Sequence, residues 1–217
     1  KSLVSWNAMM LKAYVDAFNV FKNVEFLEIA LKNARFIENI MLQDDGRMWH
    51  TFNQGKAKIN AYLDDYAHTI DAFLALYGTT MDKHWLELST VMTNYVFKHF
   101  YDEEHGVFYY NSINDKALVT RPVEIQDNVI PASNSVMANN LFAMSKLTSN
   151  ATYETIVRQQ CLRITKDAMK YPGGYSNWLR ILLFETTSFY EVVVVGEDSQ
   201  KIVLKLKSKY LPNAMII

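Results

Sequence analysis

Two adjacent carboxylates, Asp64 and Asp65, open a predicted helix and are followed directly by Tyr66. A third acid, Asp127, stands in the connector that precedes another predicted helix. Sugar chemistry commonly uses such acids: a carboxylic acid with a raised pKa protonates the leaving oxygen, and a second carboxylate acts as base or nucleophile. We therefore consider these three acids candidate catalytic residues for hydrolysing or epimerising a sugar, with His50 as an alternative base.

The residues around these acids are of the kinds that bind hydroxyl groups and stack on sugar rings. Helix N-termini offer unpaired N–H groups to hydroxyls, and aromatic faces pack against the ring. The candidate substrate-binding residues are Trp6, Asn7, Trp49, His50, Tyr66, Ser133 and Asn134. The alternative is structural, because Ser, Asn and Asp also cap helices and many aromatic side chains belong to a core. A cap needs only one acid, so the second acid of Asp64 and Asp65 is either solvated or directed at a ligand.

Other reaction classes leave no signature in the sequence. The histidines show no pair at helical spacing with a supporting carboxylate, which a zinc site of the protease type requires. A nucleophile elbow, a phosphate-binding loop and a dinucleotide fingerprint are also missing. We therefore expect no metal and no cofactor, and we expect His68 to be a structural residue.

The elements that must position the candidate residues repeat along the chain. Three pairs of residues stand nineteen positions apart: Asn7 and Phe26, Tyr66 and Trp85, and Asn134 and Tyr153. Each second member opens a run of apolar residues at helical spacing, and a glycine follows each run. This period predicts stacked helical hairpins, in which no unit buries its apolar face alone. Because the helices of a hairpin are antiparallel, all first helices begin at one rim, where the candidate residues meet.

Apolar periodicity and capping residues give the bounds of the predicted helices. They lie near residues 6–21, 26–41, 66–77, 82–100, 134–147, 152–168 and 178–184. Asn23 and Asp82 are predicted to cap the second and fourth helices. Residues 47–60 are predicted to be a polar connector.

Strands are predicted at two places. A short β-hairpin is expected from residues 107–110 and 117–120, on either side of a polar turn. The two prolines of 121–132 prevent that connector from being helical throughout. The last stretch predicts a β-α-β unit with a buried strand at 191–195, a helix at 199–209 and a second strand at 213–217.

The composition argues against nucleic acid and anionic membranes as partners. A net charge of −1 and a pI near 6.6 give no electrostatic footprint for nucleic acid or an anionic membrane. No apolar run approaches the roughly eighteen residues of a membrane span, and no signal peptide is recognised. Cys161 is the single cysteine and cannot form an intrachain disulfide, which favours the cytoplasm. Because the chain begins at Lys1 without Met, we expect that an N-terminal segment has been removed; the oligomeric state stays open.

Several ordered motifs resemble a known family. They are Ser5–Met10, Leu63–Ala67, Phe100–Gly106, Asp127–Ser135, Val193–Gly196 and Tyr210–Asn213. Together they resemble the C-terminal part of thioredoxin-domain-containing proteins of the YyaL type, related to the spermatogenesis-associated thioredoxin-like proteins. The resemblance implies an α/α toroid similar to six-hairpin glycosidases and N-acylglucosamine 2-epimerases. It also implies a thioredoxin-like domain before the toroid in the full-length protein.

This chain departs from the family pattern in two ways. It has no Cys-x-x-Cys and only about seven predicted helices, where a complete six-hairpin toroid has twelve, so a fragment of a larger toroid is expected. The family's Asp-x-Ala-x-Pro-Ser-Gly-Asn-Ser motif is also altered in Asp127–Ser135, which keeps its acid, its proline and its Asn-Ser.

We therefore predict a mainly α fold. Residues 1–190 are expected to form a partial α/α toroid of repeated helical hairpins with a short β-hairpin insertion, and residues 191–217 a small C-terminal β-α-β extension. The first functional hypothesis is a carbohydrate-active domain that binds a saccharide. The second is a non-catalytic helical scaffold or binding module attached to the thioredoxin-like domain.

Overall fold

A computed structural model describes residues 1–116 and 119–217. The described residues hold eight α-helices: α1 (Val4–Phe21), α2 (Val24–Phe36), α3 (Leu63–Thr80), α4 (Lys83–Phe100), α5 (Ser133–Thr148), α6 (Ala151–Lys170), α7 (Ser176–Thr186) and α8 (Ser199–Lys207). The strands are β1 (Ser2–Leu3), β2 (Trp49–Asn53), β3 (Lys56–Asn60), β4 (Tyr101–Asp102), β5 (Val107–Phe108), β6 (Tyr190–Val192) and β7 (Ala214–Ile216). A π-helical turn, Ile37–Met41, continues α2. The mainly helical class predicted from the sequence is confirmed.

Three helical hairpins share one kind of turn, in which a residue with a left-handed backbone is followed by Asn or Asp. The turn residues are Lys22 and Asn23, Met81 and Asp82, and Ser149 and Asn150. The N–H of the left-handed residue bonds a carbonyl in the last turn of the first helix. The Asn or Asp side chain then accepts the N–H of the second residue of the next helix. The caps predicted at Asn23 and Asp82 are confirmed, and the sequence repeat is a structural repeat.

The first helices of the hairpins form an inner layer. Helix α1 packs against α3, α3 against α5 and α5 against α7, while α2, α4 and α6 each pack against the first helix of their own hairpin. Helices α3 and α5 therefore have neighbours on both sides, and each buries more side chains than any helix of the outer layer. The core lies between the layers and includes Leu11, Phe73 and Trp85. This is the partial toroid that the sequence predicts.

The predicted connector 47–60 contains a β-hairpin, β2 and β3, which the sequence analysis did not predict. Strand β2 pairs antiparallel with β3 and also with β1, in the order β1-β2-β3. The turn is Gln54-Gly55, where both residues have positive φ, and this backbone suits the right-handed twist of a hairpin. The sheet fixes the Trp49-His50 segment beside the N-terminus of α1.

The hairpin predicted from residues 107–120 is displaced. Strand β5 pairs with β4, which precedes it across the turn at Gly106. The shorter loop costs less conformational entropy to close than a loop to residues 117–120. Of that predicted partner strand, Ala117 and Leu118 lie outside the described residues, and Val119 is fully exposed.

The C-terminal β-α-β unit is present, with β6 and β7 parallel and α8 between them. The prediction that its first strand is buried is wrong, because Val193 and Val195 are largely exposed. Helix α8 instead lies against the C-terminal ends of α1 and α3. There the ammonium of Lys22 bonds the carbonyl of Leu204, and the ammonium of Lys207 bonds the carbonyl of Gly78. The division at residue 190 stays a prediction. In the described residues, none of the helices combines the length and apolar character needed to cross a lipid bilayer.

Candidate functional site

The first turn of α3 and the N-terminus of α1 meet at the rim beside strand β2. Asp64 and Asp65 are the second and third residues of α3, and the structure gives them different environments. The carboxylate of Asp65 is completely buried, whereas Asp64 is half-buried. The two acids therefore have separate roles.

Asp65 is bonded at both of its oxygens. Its Oδ1 accepts the backbone N–H of Ser5 at 3.0 Å, and its Oδ2 accepts the N–H of Tyr62 at 3.0 Å. These bonds cap the N-termini of α1 and α3 with one negative charge, which also suits both helix dipoles. Oδ2 additionally lies 2.7 Å from Nδ1 of His50. Asp65 therefore positions its neighbours and has no free oxygen for a substrate.

His50 is the group that Asp65 holds in place. The hydrogen bond to Asp65 is the largest cause of a pKa above the ordinary 6.5, against partial burial, which lowers it. With Nδ1 engaged, Nε2 makes no hydrogen bond to any residue that the structure describes. The imidazole is 17% exposed and lies edge-on to Tyr62, with 5.0 Å between the ring centroids. Nε2 is thus the atom that can exchange a proton with a ligand.

Asp64 is the perturbed carboxylate of the site. Burial, and then the negative charge of Asp65, raise its pKa from 3.8 to about 6, while the hydroxyls of Tyr110 and Ser5 lower it in part. Its buried Oδ1 has no hydrogen-bond partner among the described residues. A half-buried carboxyl group with a pKa close to neutrality is suited to general acid–base catalysis.

Two tyrosines form a wall beside the two titrating groups. The rings of Tyr62 and Tyr110 are stacked, with centroids 5.2 Å apart and planes at 11°. Burial and the charge of Asp64 raise the pKa of the Tyr110 phenol, which therefore stays a neutral donor. Neither tyrosine was predicted to belong to the site, although Tyr62 directly precedes Leu63–Ala67 and Tyr110 ends the first strand of the hairpin predicted at 107–120.

The two candidate tryptophans differ in their exposure. Trp6 is 64% exposed, directly after Ser5, and presents a free aromatic face. Trp49 is partly buried against the core, with the guanidinium of Arg47 4.8 Å from its ring centroid. Of the aromatic residues predicted to bind substrate, Trp6 is therefore the one best placed to stack on a sugar ring.

Tyr66 lies in the core and not at the rim. Its ring is completely buried and stacks on Tyr95, with centroids 5.5 Å apart. Its hydroxyl accepts the N–H of Met48 at 2.8 Å. Because no face of the ring is exposed, the structure gives Tyr66 a packing role, and the expectation of ligand contact is not supported.

Asp127 joins the N-termini of α5 and α7. Its Oδ1 accepts the N–H of Ala132 at 3.0 Å and the hydroxyl of Ser135 at 2.6 Å, and its Oδ2 accepts the N–H of Asn177 at 2.9 Å. The carboxylate is therefore occupied by structural bonds, as Asp65 is. The predicted acid–base role of Asp127 stays a prediction.

The remaining polar candidates also hold the rim together. The side-chain amide of Asn134 is buried and bonds both the N–H and the carbonyl of Phe108 at 2.8 Å. Ser133 is buried as the first residue of α5, after an N-cap at Ala132, so it is not itself the cap. The Asn7 amide donates to the carbonyl of Leu3 at 2.7 Å within α1. The side chains of Asn7 and Asn134 thus form structural bonds, whereas the buried hydroxyl of Ser133 has no hydrogen-bond partner among the described residues. Ligand contact by these three residues stays a prediction.

A polar cleft of about 300 Å³ opens along the inner layer, one turn into α3 from Asp64. Its lining includes Lys12, His68, Asp71, Asn139 and Arg180. His68 is 5% exposed, and burial lowers its pKa, so that its ring is neutral at pH 7. Its Nε2 has no hydrogen-bond partner within the described ranges. In residues 1–116 and 119–217, no group of three His, Cys, Asp or Glu side chains is arranged to hold a metal ion.

Comparisons with other proteins agree with the resemblance predicted from the motifs. No family profile matches the chain. Over its whole length, however, the chain is homologous to human spermatogenesis-associated protein 20, with 23% identity over 231 residues. An uncharacterized protein of Caenorhabditis elegans is 26% identical over 233 residues. The chain spans 29% of the human protein and 31% of the nematode protein.

Solved structures share the fold. The GH76 alpha-mannanase of Bacteroides thetaiotaomicron matches 95% of this chain and 56% of its own, with a TM-score of 0.65 and 12% identity. A sugar epimerase from a ruminal bacterium covers 76% of this chain, with a TM-score of 0.61 and 16% identity. A D-mannose isomerase covers 73% with a TM-score of 0.59 and 14% identity. At these identities the likeness establishes the α/α toroid fold alone.

Proposed function

We propose that this rim binds a saccharide and catalyses proton transfer on it, with Asp64 and His50 as the catalytic pair. The observation that carries the proposal is that His50 Nδ1 lies 2.7 Å from the carboxylate of Asp65, the chain neighbour of the half-buried Asp64, whose Oδ1 is unpaired among the described residues. The raised pKa values of Asp64 and His50 support it. Asp65 positions His50, and the exposed Trp6 and the Tyr62–Tyr110 wall offer aromatic faces to a sugar ring. The sugar-acting enzymes among the proteins of the same fold agree with this ligand class.

The directions of the pKa shifts assign the roles. Asp64 titrates at about pH 6 and His50 above 6.5. Between these values Asp64 is a carboxylate and His50 an imidazolium. Asp64 is therefore the base and His50 the acid, whereas the sequence analysis left the role of Asp64 open and considered His50 an alternative base.

This pair can carry out the first step of aldose isomerisation. Asp64 removes the proton from the carbon next to the carbonyl of the open-chain sugar, and the electron pair of that C–H bond forms the C=C bond of an enediol. The carbonyl oxygen takes the proton of His50 Nε2. This step is common to epimerisation and to aldose–ketose isomerisation.

We favour proton transfer over a hydrolytic mechanism in which two carboxylates take part. A second catalytic carboxylate would need a free oxygen as nucleophile or base. Both oxygens of Asp65 and both oxygens of Asp127 accept hydrogen bonds from their neighbours. Asp64 is thus the single candidate acid of the three with an unpaired buried oxygen.

The test is hydrogen exchange on the sugar. The folded chain is incubated in D₂O with D-mannose, D-glucose or cellobiose, and loss of the C2 proton is followed by NMR. Asp64→Asn and His50→Gln are each expected to slow exchange by about 100-fold or more. Asp44→Asn is the control, since Asp44 is an exposed carboxylate in the turn after Ile37–Met41.

The same experiment distinguishes the catalytic hypothesis from the non-catalytic scaffold or binding module. If the folded wild-type chain exchanges none of the sugars, or if Asp64→Asn exchanges as fast as wild type, the catalytic proposal is wrong. Saccharide binding without exchange, detected by saturation transfer, favours the non-catalytic binding module. Absence of binding favours the scaffold.

We also propose that a thioredoxin-like domain accompanies the toroid in the full-length protein. In support, the homologous region is less than a third of the relatives' length. The chain's own Cys161 is buried, and burial raises the pKa of its thiol to about 12. This thiol is unreactive, so thiol chemistry would have to come from another domain.

A further inference from the structure

A second pocket lies at the opposite end of the inner layer from Asp64. It has a volume of about 500 Å³, is open to solvent on one side, and is bounded by α1, α3, α5, α7 and the C-terminal β-α-β unit. Gly78, at its α3 wall, is fourteen residues beyond Asp64, or about 21 Å along the helix. The pocket therefore extends away from Asp64, and its near end shares Lys12, Asp71, Asn139 and Arg180 with the polar cleft described above.

The walls of this pocket are apolar and aromatic. Phe142, Phe184 and Phe189 form a mutually packed cluster with centroid distances of 5.0 to 5.5 Å. Leu74 and Leu211 complete the apolar lining from α3 and from the C-terminal unit. A concave pocket of this size with an apolar wall and a few polar groups is typical of a small-molecule site.

Positive charge converges on the same pocket. Its lining holds four cationic side chains, Lys12, Arg180, Lys207 and Lys209, and one acid, Asp71. Lys12 is matched, since its ammonium lies 2.9 Å from Asp16 and is also attracted by Asp71. Within the described ranges, no carboxylate lies within 4.0 Å of the other three cations.

The three cations without a nearby carboxylate differ in how many of their N–H donors already form hydrogen bonds. Arg180 gives Nε and Nη2 to the neutral amide oxygen of Asn139, at 2.9 and 2.6 Å, and keeps its charge uncompensated. Lys207 bonds the carbonyl of Gly78 and so caps the C-terminal end of α3. Burial and the positive charge of Lys22 lower the pKa of the Lys207 ammonium to about 8, while the negative charge of Asp16 acts in the opposite direction. Arg180 and the exposed Lys209 therefore have N–H donors that remain available to a ligand.

We propose that this pocket binds a small carboxylate with an apolar body, such as a medium-chain acyl carboxylate. The apolar body packs on the three phenylalanines, and the carboxylate accepts hydrogen bonds from Arg180 and Lys209. A neutral ligand would leave the positive charges unmatched, and a cation would be repelled by them. The proposal does not depend on the saccharide site.

The test is calorimetric titration of the full chain at pH 7 with octanoate, octanol and octylammonium. These probes share the alkyl body and differ in charge. Octanoate is expected to bind, and the other two are expected to bind at least about tenfold more weakly, since they lose a charge-assisted hydrogen bond. Equal binding of octanol, or no binding of octanoate, would overturn the proposal.

Variants locate the binding. Arg180→Gln combined with Lys209→Gln is expected to weaken octanoate binding by at least about tenfold. The matched control is Lys201→Gln combined with Lys205→Gln, two exposed lysines of α8 outside the pocket lining. Circular dichroism checks that each variant is folded. Octanoate affinity that survives in the pocket variant, or that falls equally in the control, contradicts the assignment.

Discussion

Replacing each of the two adjacent aspartates by asparagine should change stability in opposite directions at pH 7. In Asp65→Asn, one buried oxygen becomes an amide N–H₂ group. Whichever way the amide turns, that group faces a backbone N–H, either of Ser5 or of Tyr62. The variant therefore loses a cap and a charge-assisted bond, and it buries an unpaired donor. The expected loss in free energy of unfolding is about 3 kcal/mol.

Asp64→Asn should stabilise the protein at pH 7. Its carboxyl has a pKa of about 6 in the folded protein against the ordinary 3.8. The folded protein therefore holds a proton that the unfolded chain has lost between about pH 4 and pH 6, and stability falls as pH rises through that window. Two pKa units correspond to about 3 kcal/mol, which partial exposure reduces to about 1–2 kcal/mol. Asparagine carries no charge and avoids this loss.

The assay is urea unfolding of wild type and both variants at pH 4.5 and pH 7, followed by circular dichroism. Asp65→Asn is expected to be less stable at both pH values, with a free energy of unfolding lower by about 3 kcal/mol at pH 7. Asp64→Asn is expected to gain stability at pH 7 and little at pH 4.5. Two results would refute the reasoning: changes of the same sign at pH 7, or an Asp64→Asn effect independent of pH.

Four further outcomes are expected. The rate of sugar C2 exchange should rise as the pH passes about 6, because Asp64 then loses its proton. It should fall again above pH 6.5, because His50 then loses its proton. A rate that stays constant from pH 5 to 8 would exclude this pair. Asp127→Asn should lower the free energy of unfolding by about 2 kcal/mol, measured in urea, while any saccharide affinity stays unchanged. Gly46→Ala should cost about 2 kcal/mol or more, because its Cβ would lie 3.0 Å from the Val91 carbonyl at a φ of +89°. Gly55→Ala, with a φ of +76° and no atom within 4 Å, should cost only about 1 kcal/mol in the same assay.

Local chemistry explains why the helical part of the fold is predictable. An Asn or Asp whose side chain accepts the N–H two residues later favours the start of a helix, and apolar spacing shows which face of that helix is buried. The caps at Asn23 and Asp82 and the hairpin period follow from these rules. The β2–β3 hairpin was missed because its turn, Gln54-Gly55, is less distinctive than Asn-Gly or Asp-Gly.

The candidate site was predictable only in part. Sequence places Asp64, Asp65 and Asp127 at helix N-termini, but both capping and catalysis put acids there. Which acid serves as a helix cap depends on the hydrogen-bond partners that the fold brings to it. These partners come from distant segments, since Ser5 lies sixty residues from Asp65 in the sequence. The same holds for Tyr110, which reaches Asp64 through the connector after α4.

The sequence by itself determined the repeating helical hairpins, the common rim and the C-terminal β-α-β unit, because these depend on propensities and periods within short stretches of chain. Only the tertiary structure decided that Asp65 is buried and fully bonded, that Asp64 is half-buried with an oxygen unpaired, and that Tyr66 belongs to the core. The physical reason is that burial and electrostatic coupling depend on which segments pack together. Two neighbouring, chemically identical carboxylates therefore acquire different roles.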